Sequence, residues 1–559
     1  MLDLSSRTQK LWRALVALYL ITALAASPAP ARQSGAAAAP AAALTDAERG
    51  LAERIKAENI KEITTALSAP AMQGRGTGQP GGEMAAQFIA DRFKKLGLKP
   101  LGDKGSYFQS IKFREFQVTP ETSLRVGDSS LKLGEDFYVS HPFSGDKDVS
   151  GRLVFVGFGI QTAGRERDDL KGIDVSGKIV VVIEGPPRGV TRDQWRKMKA
   201  GFLIKKNLFA LGAAGLIMAN SGTEETPYPM LADYMTRRQL EPAGAEQLPP
   251  QFPPFLGVSD AGAEKLFAAS GTTYAQALER AHRGEFVSQD LKLQAKVKVK
   301  LRNAKATAAN VVGYVEGTDA KLKEEAVVYT AHYDAFGVGE DGRVFPGAAD
   351  NALGVAEMLA VAEALAASPP RRSVVFLAVT GEEYGLHGAE FWVKNPTWKL
   401  KQVAANLNFD GIGTEVYGPL KKLVGFGAEH SNLGALLESV AAATGNQVMP
   451  DPMPEERSFY RSDHYAFVKR GVPALFLMGA PDIDRQALVA RVREYQAKHY
   501  HLPTDTVRPE WDWEGPRALA QVGAVLGWRA ANADAMPAWL ASSPFNRKRG
   551  TDEPPPDEP

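Results

Sequence analysis

Residues 324–332 read EEAVVYTAH, residues 332–335 HYDA and, past a Gly-rich loop, residues 346–354 PGAADNALG. The apolar run is β-branched and aromatic, the composition of a strand buried on both faces. GVAEMLAVAEALAA (354–367) then has helical spacing, and RSVVFLAVTGEE (372–383), VAANLNFDGIG (403–413) and GVPALFLMG (471–479) repeat the strand pattern. Strands that are apolar throughout, alternating with helices, imply an α/β fold. The expected architecture is a doubly wound, mostly parallel-core sheet with helices on both faces. Such sheets bind ligands just beyond the carboxyl ends of their strands.

Those ends carry chemistry. His332 and Asp334 follow the first strand, Glu382 and Glu383 the second, and Asp410 the third. Carboxylates brought to one rim repel each other and shift their pKa values upward unless a cation sits among them. Oxygen and imidazole donors without sulfur suit zinc, and manganese or cobalt less often. Two ions about 3.5–4 Å apart need one bridging carboxylate and flanking ligands. His332 then reads as a ligand, Asp350 as a group swung back by its loop between two ions, and Asp334 as an acceptor that orients the His332 ring. Asp350 and Asn351 are also good helix caps for the segment that follows. A further imidazole is needed. His501 in HYHLPTDTV (499–507) is the best candidate and His499 its competitor. Ser462, Asp463 and His464 are consecutive, so they cannot line up as nucleophile, base and orienter. They read as a loop that shapes the pocket. His141, His282, His387 and His430 lack acidic company of the right kind and read as surface or satisfied positions.

The rest of the chain bounds the setting. It has 559 residues, 44% hydrophobic and 23% charged, with a net charge of +1 and no cysteine. Disulfides, thiolate ligands and a cysteine nucleophile are excluded. The net charge makes no electrostatic case for nucleic acid or an anionic membrane as partner. Arg7, Lys10 and Arg13, the 13-residue apolar run ALVALYLITALAA (14–26) and SPAPA ending at Ala31 form an export signal. The run is short of the ~20 residues of a spanning helix. An exported, periplasmic or secreted protein is expected, without stable membrane insertion once the signal is removed and anchored only if it is retained. GTGQPG (76–81) matches a dinucleotide fingerprint by letter. It follows a helix instead of a strand and reads as a plain loop.

The ordered set HYDA, PGAADNALG, TGEEYGLHGA (380–389), NLNFDGIG (406–413), RSDHYAF (461–467), GVPAL (471–475) and YHLPTD (500–505) resembles the co-catalytic dizinc exopeptidases. These are the bacterial leucyl aminopeptidase and glutamate carboxypeptidase II type of metallopeptidase. MQGRGTGQPGGEMAAQFIADRF (72–93) is similar to their leading segment, and DDLKGIDVSGKIVVV (168–182) to the protease-associated domain that many carry, so the resemblance spans about residues 50 to 530. It implies two zinc ions per chain, His332 and Asp410 on one, Glu383 and His501 on the other, and Asp350 bridging. Glu382 matches the general base. Tyr500 matches a hydrogen-bond donor to the oxyanion, and Arg461 and Asn351 match positions beside the substrate or the ligands. A cis peptide is expected at Asp350–Asn351. The implied activity is peptide-bond hydrolysis through a metal-bridging hydroxide, in an aminopeptidase. Other amide chemistry (carboxypeptidase, dipeptidase, glutaminyl cyclase) and a receptor-like binding protein without catalysis are the alternatives.

The expected organisation is a signal peptide (1–31), a low-complexity linker (32–44), the N-terminal part of the peptidase domain (45–135), an inserted β-rich protease-associated domain (136–288), the zinc peptidase catalytic domain (289–535) and a disordered tail (536–559). Peptide is the expected substrate. Oligomeric state is not readable.

Overall fold

Seven consecutive residues are buried in the strand Ala326–His332. Val327, Tyr329 and Ala331 belong to one apolar core and Ala326 and Val328 to another, so both side-chain sets of a period-two strand are covered. The computed structural model describes residues 43–140, 145–162, 167–222, 226–245, 252–411 and 413–553. The expected signal peptide, most of the linker, His141 and residues 554–559 lie outside the described residues.

The main sheet runs Gln447–Val448, Leu420–Phe426, Ala474–Pro481, Val403–Phe409, Ala326–His332, Ser373–Val379, Leu301–Val315, Phe108–Val118 and Gln239–Pro242, with Lys99–Pro100 beside Leu301–Val315. Its centre is parallel: Ala326–His332 pairs in parallel with Ser373–Val379 and Val403–Phe409, and the latter with Ala474–Pro481. The flanks are antiparallel, except that the edge strand Gln447–Val448 pairs in parallel with Leu420–Phe426. Helices Ala57–Leu67, Gly354–Ala367 and Glu514–Asn532 share the first core, and His387–Lys394 and His464–Lys469 the second. This is the doubly wound arrangement.

Helix Glu514–Asn532 is held close by one aromatic. Tyr329 lies stacked between Phe376 and Phe409, with ring centroids 5.3 and 6.2 Å away, and its hydroxyl donates to the Gly523 carbonyl at 2.8 Å. A Cβ on Gly527 would meet the Tyr329 hydroxyl at 1.8 Å. Any larger residue there forces the helix off the sheet.

A second sheet of eight strands runs Ser129–Leu131, Ser123–Val126, Gln289–Val299, Lys147–Phe155, Ile179–Glu184, Gly215–Asn220, Phe255–Val258 and Phe137–Val139, over its own cores. It is wider than the 136–288 span expected from composition. Ser123–Val126 and Gln289–Val299 pair antiparallel across that span, a long-range contact that no change of texture marks. Conversely, Gln239–Pro242 leaves the second sheet and forms the edge of the main one, with Phe113 opposite Pro242.

Residues 536–553, expected as part of a disordered tail, are instead anchored on the main sheet. Phe545 is fully buried in the second core of the main sheet. The Trp539 indole donates to the Gly471 carbonyl at 3.0 Å, and Arg549 donates to the Val403 and Ala404 carbonyls. Two aromatic anchors and an arginine outweigh the polar composition around them.

Candidate metal centre

Because the three central strands run in parallel, their C-terminal ends open on one edge. His332 is the last residue of its strand and sits opposite Val379, while Thr330 sits opposite Asn408. Glu382 and Glu383 therefore follow the neighbouring strand end, and Asp410 directly follows Phe409. Asp350 enters from the turn before helix Gly354–Ala367, and the Asp350–Asn351 peptide is cis. His501 arrives on a loop with φ of +59°.

The side chains converge on Asp350. Its Oδ1 lies 3.1 Å from His332 Nε2 and its Oδ2 lies 3.3 Å from His501 Nε2. Each imidazole nitrogen faces one further carboxylate: Asp410 Oδ1 at 3.2 Å from His332 and Glu383 Oε2 at 3.0 Å from His501. Ligand atoms of His332, Asp350 and Glu383 all fall within 4.8 Å of one another. His501 Nε2 is buried and makes no hydrogen bond among the described residues, although two carboxylate oxygens lie within 3.3 Å. An imidazole lone pair and carboxylate oxygens that crowd without aligning as hydrogen bonds fit a divalent cation placed between them.

The electrostatics agree. Burial pushes Glu382 well above the usual carboxylate range, and pushes Glu383 up to about 7 against the opposing charge of His501. Burial also works against protonated imidazoles, yet the charge of Glu383 and the contacts with Asp350 carry His501 up to about 9. The same contest leaves His332 well above its ordinary value, chiefly through Asp410 and Glu382. Burial alone would raise Asp350, but contacts with both histidines hold it low. Protons on two buried imidazoles are the charge that this acidic pocket otherwise demands from a cation.

Supporting contacts fix the donors. Asp334 orients the His332 ring through its backbone carbonyl, 3.2 Å from Nδ1. Its carboxylate, at 3.7 Å, is beyond hydrogen-bond range and instead accepts from Thr77 Oγ1 at 3.0 Å and the Glu382 amide at 3.3 Å. Asn351, not Asp350, serves the helix: its Oδ1 accepts from the Gly354 and Gly411 amides and its Nδ2 donates to the Phe409 carbonyl. Ser462 donates to Asp410 Oδ2 and accepts from Asn408. The Ser-Asp-His run is thus no triad: Ser462 holds Asp410, and burial pushes His464 down to about 3. His499 turns away, with Nδ1 3.0 Å from the Thr504 carbonyl. His282 and His387 reach the backbone carbonyls of Ser221 and Leu240, and His430 packs on Phe459 and Phe545.

Several contributors carry no sequence signal of their own. Asp505, inside YHLPTD, accepts from the Ala349 and Asp350 amides at 3.1 Å each, and burial pushes it up to about 7. Arg75, fully buried in the Gly-rich loop, donates to the Tyr333, Pro346 and Gly347 carbonyls. From helix Tyr228–Thr236 and the residues after it, Tyr234 donates to the Glu383 carbonyl at 3.2 Å and Arg237 to the His501 carbonyl at 2.9 Å. Only the quoted motifs pointed at Arg75 and Asp505. Nothing in the local sequence pointed at Tyr234 or Arg237.

Beside the donors lies a pocket lined by Phe426, Met453, Phe476, Met478 and Val492, with Asp350, Glu382, Asp410, Arg461 and Tyr500 at its chemical end. Tyr500 stacks on His501 at 3.7 Å between centroids, and burial pushes its phenol well above its ordinary value. Arg461 pairs with Glu456 at 3.2 Å.

Residues 310–526 match the model of peptidase family M28. The M28 match takes in His332, Asp350, Glu382, Glu383, Asp410 and His501. An aminopeptidase from Aneurinibacillus sp. strain AM-1 superposes with a TM-score of 0.57 at 20% identity, over 88% of this chain and 97% of that one. A zinc aminopeptidase from Bacillus subtilis does so at 0.51 and 19%, over 86% and 96%. Both share the fold. Among curated relatives, leucine aminopeptidase 2 of Arthroderma otae is 29% identical over 210 residues, 36% of this chain and 40% of the relative. The vacuolar membrane protease of Candida albicans is 39% identical over 108 residues, 19% of this chain and 11% of the relative. The chain thus spans well under half the length of these two relatives.

Proposed function

We propose that the chain is a zinc-dependent aminopeptidase that holds two ions and releases N-terminal residues from peptides. One observation carries the reading: Asp350 presents each carboxylate oxygen to a different imidazole, and each imidazole has a further carboxylate of its own. In this reading His332 and Asp410 hold one ion, Glu383 and His501 hold the other, and Asp350 serves both. Bound there, the ions supply Lewis acidity toward the scissile carbonyl and make water easier to deprotonate.

The chain's own groups do the rest. Glu382 takes a proton from the attacking water and returns it to the leaving amine nitrogen, a contribution typically of about 10²–10⁴-fold. Its burial and raised proton affinity suit a carrier. Tyr500 keeps its phenolic proton across the working pH range and donates it as a hydrogen bond where negative charge develops. Arg461 contributes a positive charge beside the substrate. The apolar pocket takes the side chain of the N-terminal residue, which favours aminopeptidase chemistry, as does the similarity to leucine aminopeptidases. We also read the region around the second sheet as a protease-associated domain and the protein as exported. Among the described residues no helix is long and apolar enough to cross a membrane.

Metal analysis and hydrolysis of leucine anilide, beside its N-acetylated form, test the reading. Two ions per chain and cleavage of the free amine alone are expected. Cleavage of the blocked substrate moves the activity to another amide chemistry. Glu382→Gln should keep both ions and lose about 10²–10⁴ in kcat; loss of metal instead overturns its role as base.

A further inference from the structure

Seven large apolar side chains are exposed among the described residues, and four of them, Met198 (61%), Phe202 (64%), Leu203 (50%) and Leu211 (46%), lie within fourteen positions of each other. They belong to helix Ala200–Ala210 and the turns that bound it. Phe202, Leu203, Lys206 and Ala210 recur at helical spacing on one outward stripe, whereas Leu208 is buried on the opposite side. A solvent-facing stripe of a soluble helix is ordinarily polar. Met84, Phe286 and Leu540 stand apart in the sequence, and single exposed apolar residues need no explanation.

The surroundings are basic. Arg192, Arg196, Lys197, Lys199, Lys205 and Lys206 face one acid, Asp193, in the sequence from 192 to 211, a net of +5 within a chain whose total is +1. Asp193 pairs with Lys197 and Glu184 with Lys205. Lys206 lies over the Phe202 ring, 6.0 Å from its centroid. Aromatic and aliphatic side chains protruding from a collar of cations match the boundary of an anionic bilayer: the apolar groups enter the acyl region and the cations meet lipid phosphates. The net charge of the whole chain conceals this local asymmetry.

We propose that helix Ala200–Ala210 with its flanking turns is a peripheral docking surface for anionic phospholipid membrane, independent of the metal centre. The chain has no cysteine, so Phe202→Cys and, as a control, Leu540→Cys accept one environment-sensitive fluorophore each. With the full chain, vesicles containing phosphatidylglycerol should shift the emission of the probe at 202 to the blue, and lipid-soluble quenchers should reach it. Pure phosphatidylcholine vesicles, or the probe at 540, should give no shift. High salt should weaken the response severalfold. The double substitution F202S/L203S should lower the patch-dependent partitioning about tenfold or more and leave hydrolysis of a soluble leucine anilide unchanged. A probe at 202 that ignores anionic vesicles overturns the proposal. So does a shift that appears without lipid as protein concentration rises, which identifies a second copy as occupant, or one produced by peptide alone, which identifies a substrate exosite.

Discussion

The two halves of the proposed metal centre share Asp350 but are held in different ways. His332 terminates a central strand and its side chain is 1% exposed, while Asp410 follows the adjoining strand and is held by Ser462. On the other side, His501 lies on a left-handed loop with its side chain 22% exposed, and Glu383 lies past its strand. Arg237 and Tyr234 tie the backbones of this second pair to a segment more than a hundred residues away in sequence. One half inherits its rigidity from the sheet. The other borrows it from distant chain, so it should be the more easily disturbed.

The severest test removes the shared group. Asp350→Ala should release both ions and lower kcat by more than about 10⁴-fold, beyond the loss of the base alone. If one ion is retained at full affinity, the halves do not depend on a common bridge. Next, His501→Ala should leave one ion per chain by metal analysis and His332 still ligated. Equal loss of both ions would erase the distinction between the halves.

Arg237→Gln sharpens the comparison without touching a donor. Chelator competition should show metal affinity reduced about 10–100-fold in the Glu383–His501 half alone. Ser462→Ala should do the same in the Asp410 half, and the two effects should be separable. The smallest effect is in pH. His501, raised to about 9, is protonated at pH 7 in the metal-free protein, whereas a ligand must be neutral. Metal binding at pH 7 should therefore release protons, visible in calorimetry as heats that depend on the buffer, and affinity should rise up to about pH 9. The sign for stability is opposite. A raised imidazole pKa stabilises the metal-free fold fully below about 6.5, and that stabilisation is lost as pH climbs through about 9. Thermal unfolding with a chelator, against pH, measures it.

How much was legible follows from where each residue acts. His332, Glu382, Glu383 and Asp410 act through side chains at the ends of apolar strands, and strand periodicity points to such ends. Asp350 and His501 sit on loops, and were singled out because the expected donor set needed a bridging acid and a further imidazole. Arg237 and Tyr234 bind backbone carbonyls, a target that any sequence offers, so nothing local distinguished them from surface residues. Asp334 lies beside the His332 ring, but its carbonyl and not the expected carboxylate meets it. The limits of the second sheet were missed because pairing between Ser123–Val126 and Gln289–Val299 is invisible in either strand alone. Residues 536–553 were misjudged because composition averages away two aromatic anchors, the buried Phe545 and the half-buried Trp539.

Gln239–Pro242 lies between strands of the second sheet in the chain but closes the edge of the first. The two sheets are therefore stitched and not merely tethered. Phe108–Val118 stays without either partner strand until synthesis has passed residue 242, and its long antiparallel mate arrives only at Leu301–Val315. A nascent chain emerging from the ribosome must keep that ribbon from unwanted pairing for nearly two hundred residues, and cutting out the intervening segment would remove the edge strand of the main sheet itself.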